Sequence, residues 1–161
     1  MSIPITIQGT IINFPTSGES PNWSQPIIDF AKATEAALNS FVGPFDIPPQ
    51  IYIMTSNANN NVDLPNLSFP TANVQGAIIS YSVYRKTTVE EVTETGTLLV
   101  NYNSSAGVGL KWEISREYIG DANVTFNITD VGQVQFSSAL IAGTSHDGRV
   151  TYQAKAILQN A

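Results

Sequence analysis

Hydrophobic and polar residues alternate strictly in part of the C-terminal half of the chain. From Leu110 to Tyr118, the even positions hold Leu, Trp, Ile, Arg and Tyr, and the odd positions hold Lys, Glu, Ser and Glu. Because successive side chains of a strand point to opposite sides, this period of two predicts a half-buried antiparallel strand. Comparable segments recur to the end of the chain. The pattern predicts a mainly β protein with an antiparallel β-sandwich or jelly-roll-like C-terminal domain.

The predicted β-sandwich domain covers residues 74–161, and short turn sequences separate its strands. The turns include Glu94–Thr95–Gly96, Asp130–Val131–Gly132 and Asp147–Gly148. The predicted strands are Ala77–Thr87, Thr97–Asn103, Gly109–Tyr118, Val124–Thr129, Gln133–Ser138 and Arg149–Leu158, with Leu140–Thr144 as a further candidate. The aromatic residues expected in the core are Tyr81, Tyr84, Trp112, Phe126, Phe136 and Tyr152.

The sequence of residues 1–45 predicts an N-terminal module that serves anchoring or oligomerisation. Ile3–Phe14 has the pattern of a single extended strand or arm, which could pair with the sheet edge of another subunit. Ser24 can cap a helix over residues 25–42, which carries a stripe of apolar residues at helical spacing. Gly43–Pro44 then ends the helix.

Residues 46–73 are rich in proline and asparagine. Gln50–Met54 could form a short strand, and the asparagine-rich run Asn57–Asn61 is typical of an exposed turn. We interpret residues 46–73 as the connection between the N-terminal module and the β-sandwich domain.

The composition limits the surface chemistry of the protein. The net charge is −6, and charged residues make up only 12% of the chain. The seven Lys and Arg residues form no basic stripe, so we expect no nucleic-acid partner. A polar surface with few ions loses little hydration on contact, which favours permanent assembly. An ordinary extracellular-type β domain would have the same composition.

The sequence contains no cysteine and one histidine, His146. The lack of cysteine excludes disulfides, cysteine-ligated zinc and thiol nucleophiles. A histidine-based metal site or a Ser-His-Asp triad would need His146, which lies at the predicted Asp147–Gly148 hairpin turn. We therefore expect no catalytic residue, no metal, no cofactor and no enzymatic activity.

Two groups of glutamates are candidate sites. Glu90, Glu91 and Glu94 could bind a hard cation such as Ca²⁺, but they lack the spacing of an EF-hand loop. A solvated loop that protects a sheet edge explains them as well. Glu113 and Glu117 lie on one face of a predicted strand, roughly 13 Å apart, beyond the separation of about 5–9.5 Å in paired glycosidase carboxylates. This pair does not support a glycosidase.

The N-terminal sequence carries no export signal of the usual kind. Met1–Pro4 lacks the basic start and the apolar region of a signal peptide. No apolar run approaches the roughly 18 residues that span a bilayer. We expect synthesis in a cytoplasm and no membrane partner.

Residues 20–158 contain a series of short turn and core segments in a distinctive order. They are Ser20–Trp23, Ile27–Ala31, Ala36–Leu38, Gly43, Asp46–Ile47, Tyr81–Arg85, Glu94–Gly96, Tyr118–Asp121, Val124–Ile128, Gly132–Gln135, Gly148 and Ala154–Ala156. This order resembles that of virion structural proteins of tailed bacteriophages. The resemblance implies a structural protein of a phage particle, of the capsid-decoration, head-fibre or tail-associated type.

We therefore expect a non-enzymatic virion component, first of all a capsid-surface decoration or cement protein. The alternative is a tail or fibre component that recognises a host surface glycan. The expected partners are other copies of the chain, as a homotrimer, and other virion proteins such as the major capsid protein. Trp23 could staple the start of the helix, contact a neighbouring subunit or, if exposed, stack on a sugar. The expected interface residues are Ile3, Ile5, Ile7 and Trp23.

Overall fold

The computed structural model describes residues 2–7, 10–15, 24–41 and 43–159, with side chains at 25–34 and 43–159. The chain divides into two compact units, Met1–Pro44 and Phe45–Ala161. Strands dominate the described residues, so the prediction of a mainly β fold is confirmed.

The first unit contains a β-hairpin and a helix. Strands β1 (Ser2–Ile7) and β2 (Thr10–Pro15) pair antiparallel, with Ile5 opposite Ile12. The prediction of a single extended strand over Ile3–Phe14 is therefore wrong, because the two halves of this segment pair with each other. Helix α1 (Ser24–Phe41) agrees within one residue with the predicted helix.

The second unit is built from eight strands in two antiparallel sheets. In chain order they are β3 (Ile47–Ile53), β4 (Asn59–Ser68), β5 (Val74–Lys86), β6 (Glu91–Tyr102), β7 (Trp112–Gly120), β8 (Val124–Ile128), β9 (Gln133–Ser138) and β10 (Asp147–Leu158). One sheet has the order β3-β10-β5-β6-β7, and the other has the order β4-β9-β8. The two sheets pack face to face as a β-sandwich.

The core lies between the two sheets. Alternate residues of β5 are buried from Ala77 to Arg85, as a period of two requires. Tyr52 packs edge-on against Phe136 of the opposite sheet, with ring centroids 5.5 Å apart. Five of the six aromatic residues predicted for the core line it, but Tyr84 lies on the opposite side of β5 and stacks under Arg149.

Several predicted connections are strands in the structure. Residues 46–73 hold β3 and β4, which belong to the two sheets, so this segment is part of the sandwich and not a connection. Glu94–Gly96 lies inside β6, where Gly96 allows close approach of Glu117 and Tyr118 of β7. Conversely, Leu140–Thr144 forms no strand, and Asp147–Gly148 begins β10.

The predicted turn at Asp130–Gly132 is confirmed and depends on its glycine. Gly132 has a φ of 86°, a conformation that side chains with a Cβ rarely adopt. A Cβ at Gly132 would lie 2.1 Å from the carbonyl oxygen of Phe69. The Phe69 amide donates to the Gly132 carbonyl, so this turn joins the ends of β4 and β9.

Candidate functional site

One side of the five-stranded sheet has no cover within the second unit. We call this side the outer face. It is formed by the even residues 78–86 of β5 and by odd residues of the other strands, namely 51 and 53 of β3, 91–101 of β6, 113–119 of β7 and 147–157 of β10. Its centre is rich in hydroxyl groups, and the Ser82 and Thr95 hydroxyls of neighbouring strands are 3.2 Å apart.

Aliphatic side chains are set among these hydroxyls. Ile78 and Leu99 are cross-strand partners, and each is 45% exposed. Further exposed aliphatic residues on the outer face are Ile51, Ile53, Ile119 and Ile157. A monomer normally leaves few aliphatic side chains exposed side by side, so the outer face has the composition of a contact surface.

Arg149 and Lys155 give β10 two basic residues on the outer face and β7 has only acidic ones, while the other charged residues of the face are Asp147 on β10 and the Lys86–Glu91 pair on β5 and β6. The acidic residues on β7 are Glu113 and Glu117. Three inter-strand pairings place Ile78 and Leu99 in one row between Lys155 and Ser115. Glu113 and Glu117 flank that serine on β7. The Lys155 side chain is 75% exposed, and its Nζ is 3.8 Å from Asp46 Oδ2. The alternation predicted the shared side of Glu113 and Glu117, but the strand order was needed to place the lysine across from them.

A polar cleft lies at one end of the five-stranded sheet, and we call it the end cleft. It has a volume of about 300 Å³. Gln75 Nε2 donates to the Tyr102 carbonyl at 2.7 Å, and Gln159 Nε2 donates to the Thr71 carbonyl at 3.0 Å. The remaining lining residues are Asn103 and Ser104. Amide and hydroxyl groups of this kind can hydrogen-bond to a polyhydroxylated ligand.

A buried arginine joins the loops at the other end of the sheet. Arg85 is fully buried, and its guanidinium donates to the carbonyls of Ala122 at 2.6 Å and Ala139 at 2.7 Å. It also donates to the Asn57 side-chain oxygen at 2.8 Å. Burial lowers the pKa of Arg85, while the Glu90 carboxylate opposes this shift. We call Arg85, Asn57, Ala122 and Ala139 the Arg85 cluster. This cluster links the β3–β4, β7–β8 and β9–β10 connections.

A second buried polar group joins β5, β6 and β7. Tyr81 Oη donates to Glu94 Oε1 at 2.7 Å, and Arg116 forms an ion pair with the same carboxylate. The other carboxylate oxygen accepts from the Ala122 amide at 3.1 Å. Burial, followed by the hydrogen bond to Glu94, raises the pKa of Tyr81 well above its usual range. We call Tyr81, Glu94, Arg116 and Ala122 the Glu94 cluster, and its bonds give it a role in holding strands together.

The candidate chemical residues do not converge. Glu90 accepts from the Ala142 amide at 2.7 Å, and Glu91 pairs with Lys86 at 2.9 Å. Since Glu94 is buried in its own cluster, the three glutamates do not form one solvated loop, and that interpretation is wrong for Glu94. Among the described residues, no three His, Cys, Asp or Glu side chains are grouped so as to hold a metal ion.

His146 lies in the loop directly before β10, and the predicted turn at Asp147–Gly148 is wrong because these two residues pair with β5. Neither ring nitrogen contacts solvent or has a hydrogen-bond partner in the described part of the chain. Burial lowers the pKa of His146, and the positive charge of Arg85 lowers it further. The imidazole is therefore neutral at pH 7.

The expected interface residues fall mainly outside the part of the chain that can be described. Ile3, Ile5 and Ile7 belong to β1 of the hairpin, but their side chains lie outside the described residues. Trp23 also lies outside them. Within the residues that are described, α1 is too polar to serve as a membrane-spanning helix.

Comparison with known proteins gives two similar solved structures. The tailspike protein of Acinetobacter phage vB_ApiP_P1 is 15% identical with a TM-score of 0.39, over 68% of this chain and 22% of the tailspike. The tailspike protein of Acinetobacter baumannii phage AM24 is 9% identical with a TM-score of 0.38, over 72% of this chain and 26% of the tailspike. The chain thus spans about a quarter of each tailspike. No family model matches the chain, and no curated protein matches its sequence.

Proposed function

We propose that the chain is a non-enzymatic structural component of a tailed-phage particle and acts through protein contacts made by its outer face. The observation that carries this proposal is the composition of that face, where exposed aliphatic residues lie among hydroxyl groups. Burying the aliphatic residues of such a face removes apolar area from water. The resemblance of residues 20–158 to virion structural proteins supports the same function.

The first expectation from the sequence is decoration of the capsid. We favour a place in the tail instead. The end cleft supports the tail, because an open cleft of amides and hydroxyls suits contact with a cell-surface glycan. Capsid decoration requires contact surfaces alone. The position is tested by imaging particles that carry the chain and particles that lack it.

In that experiment, we expect density at the tail that is missing from particles without the chain. Leu99→Lys in the outer face should reduce incorporation, because the contact would have to bury an added charge. Thr125→Lys, at an exposed position of β8 in the other sheet, is the matched control and should incorporate normally. Particles whose density is the same with and without the chain would refute the proposal.

A second candidate function is glycan binding by the end cleft. Its side-chain amides come from Gln75, Asn103 and Gln159, which supply both donors and acceptors. The ring of Tyr102 contributes an aromatic surface, although it packs against Trp112 at a centroid distance of 5.1 Å. The cleft therefore favours recognition by hydrogen bonds more than by stacking.

Glycan binding is tested by applying the purified chain to an array of bacterial surface polysaccharides. We expect Gln75→Ala to weaken binding to any selected glycan about tenfold, since one amide hydrogen bond would be lost from the site. Gln153→Ala removes an exposed amide from the outer face and should leave that affinity unchanged. Equal effects of both variants, or no selective binding, would reject the end cleft as a glycan site.

A further inference from the structure

We infer that the outer face is covered by other copies of this chain, with the β10 side of one copy against the β7 side of the next. This inference rests on the proposed function, since it names the partner in the contacts made by that face. The argument uses the strand order, the position of the charges and the size of the face.

Charge complementarity identifies the partner. On the outer face, residues 149–157 of β10 carry positive charges and residues 113–119 of β7 carry negative charges. Strands β5 and β6 lie between these two strands. Consider a rotation axis that runs parallel to the strands and lies in front of the outer face, at the boundary between β5 and β6. Rotation about this axis places β10 of one copy against β7 of the next copy. Lys155 of one copy then reaches Ser115 of the next, between Glu113 and Glu117.

The other charged residues at this surface already have partners within the chain. Lys86 pairs with Glu91 across β5 and β6, and Asp147 lies opposite Lys86 on β10. The guanidinium of Arg149 lies 4.8 Å from the Tyr84 ring centroid. Lys155 is only loosely paired with Asp46, whereas Glu113 and Glu117 are exposed. The contact between copies therefore opposes unlike charges and does not bring like charges together.

The apolar residues lie where such a contact needs them. Ile78 and Leu99 are paired on β5 and β6, on either side of the axis. The same rotation brings Ile78 of one copy close to Leu99 of the next, so both side chains leave water together. The centre of the contact is apolar and its sides are charged, which is the usual arrangement of a specific interface.

The size of the face is sufficient. Five strands about 4.8 Å apart, each contributing about nine residues at 3.4 Å, make a face of roughly 19 by 31 Å, or about 600 Å² per copy. Two such faces exceed the total of about 1,000 Å² that a stable interface requires. Two copies related by a twofold axis satisfy the contact, as do the three copies expected from the sequence.

The test is the mass of the full chain in solution, measured by size-exclusion chromatography with light scattering at low and at physiological ionic strength. We expect an assembly of two or three chains. Lys155→Glu alone, or Glu113→Lys with Glu117→Lys, should weaken self-association by about tenfold or more, because each opposes like charges. The variant that combines all three reversals should regain assembly. Asp63→Lys, an exposed reversal on the other sheet, should have no effect.

The outcomes separate this inference from the proposed function. A single-chain mass for the unmodified protein, or single reversals without effect, would overturn self-association through the outer face. Failure of the combined variant to recover assembly, while its thermal unfolding matches that of the unmodified chain, would overturn it too. A protein that is monomeric in solution and still enters phage particles would contradict only this inference. An assembly that never enters particles would contradict only the proposed function.

Discussion

Replacing Arg85 with methionine is expected to lower the free energy of unfolding by about 3–5 kcal/mol. The substitution keeps most of the apolar stem but removes every donor of the guanidinium. The carbonyls of Ala122 and Ala139 and the side-chain oxygen of Asn57 would then lose their charged donor while still buried against the loops. Since each buried acceptor left unpaired costs about 1–3 kcal/mol, the total exceeds the effect of an ordinary surface substitution.

The measurement is urea unfolding of the full chain, with hydrogen exchange at the loop amides as a local readout. Arg85→Lys is the closer variant, because a lysine keeps the charge but cannot donate in the fork geometry that reaches three loops. It should recover only part of the lost stability. Arg149→Met is the matched control, since Arg149 is exposed and stacks on Tyr84, and its loss should cost below about 1 kcal/mol. Equal effects at Arg85 and Arg149 would refute a structural role for the Arg85 cluster.

Much of the sandwich could be predicted from alternation, because alternation reports burial directly. The β8 and β9 predictions agree closely with the observed strands, and both have buried residues at alternate positions. By contrast, the sequence does not predict β4. Its asparagines and Pro65 resemble a loop, and Asn61 and Asn66 have positive φ values of 46° and 60°. The pairing of β4 with β9 is also irregular, so its sequence lacks a regular period of two.

The polar clusters could be predicted only in part. In β5, Arg85 has the same parity as Ile79 and Val83, so the alternation already places it on the buried side of the strand. Its acceptors could not be predicted, because they are backbone carbonyls of three distant loops. A glycine two residues after Glu94 predicts a turn, whereas Gly96 in fact allows close packing of β6 on β7. The outer face likewise required the strand order, which alternation does not contain.

Glu94→Leu is the second substitution with a large expected effect, a loss of about 3–5 kcal/mol in the free energy of unfolding. Glu94 is 1% exposed, and its carboxylate serves three groups: the Tyr81 hydroxyl, the Arg116 guanidinium and the Ala122 amide. Leucine fills a similar volume but accepts no hydrogen bond. The Arg116 side chain is only 20% exposed, so it would keep a positive charge with limited access to water.

Thermal and urea unfolding of Glu94→Leu, Arg116→Met and the double variant test whether the ion pair acts as a unit. We expect the double variant to be less destabilised than the sum of the two single variants, because removing both partners leaves no unpaired buried charge. Glu91→Leu is the matched control on the same strand. Its pair with Lys86 is about half exposed on both sides, and its loss should cost at most about 1 kcal/mol. Strictly additive effects at Glu94 and Arg116 would mean that the two residues stabilise the sheet independently, and the Glu94 cluster would then not be a unit of the fold.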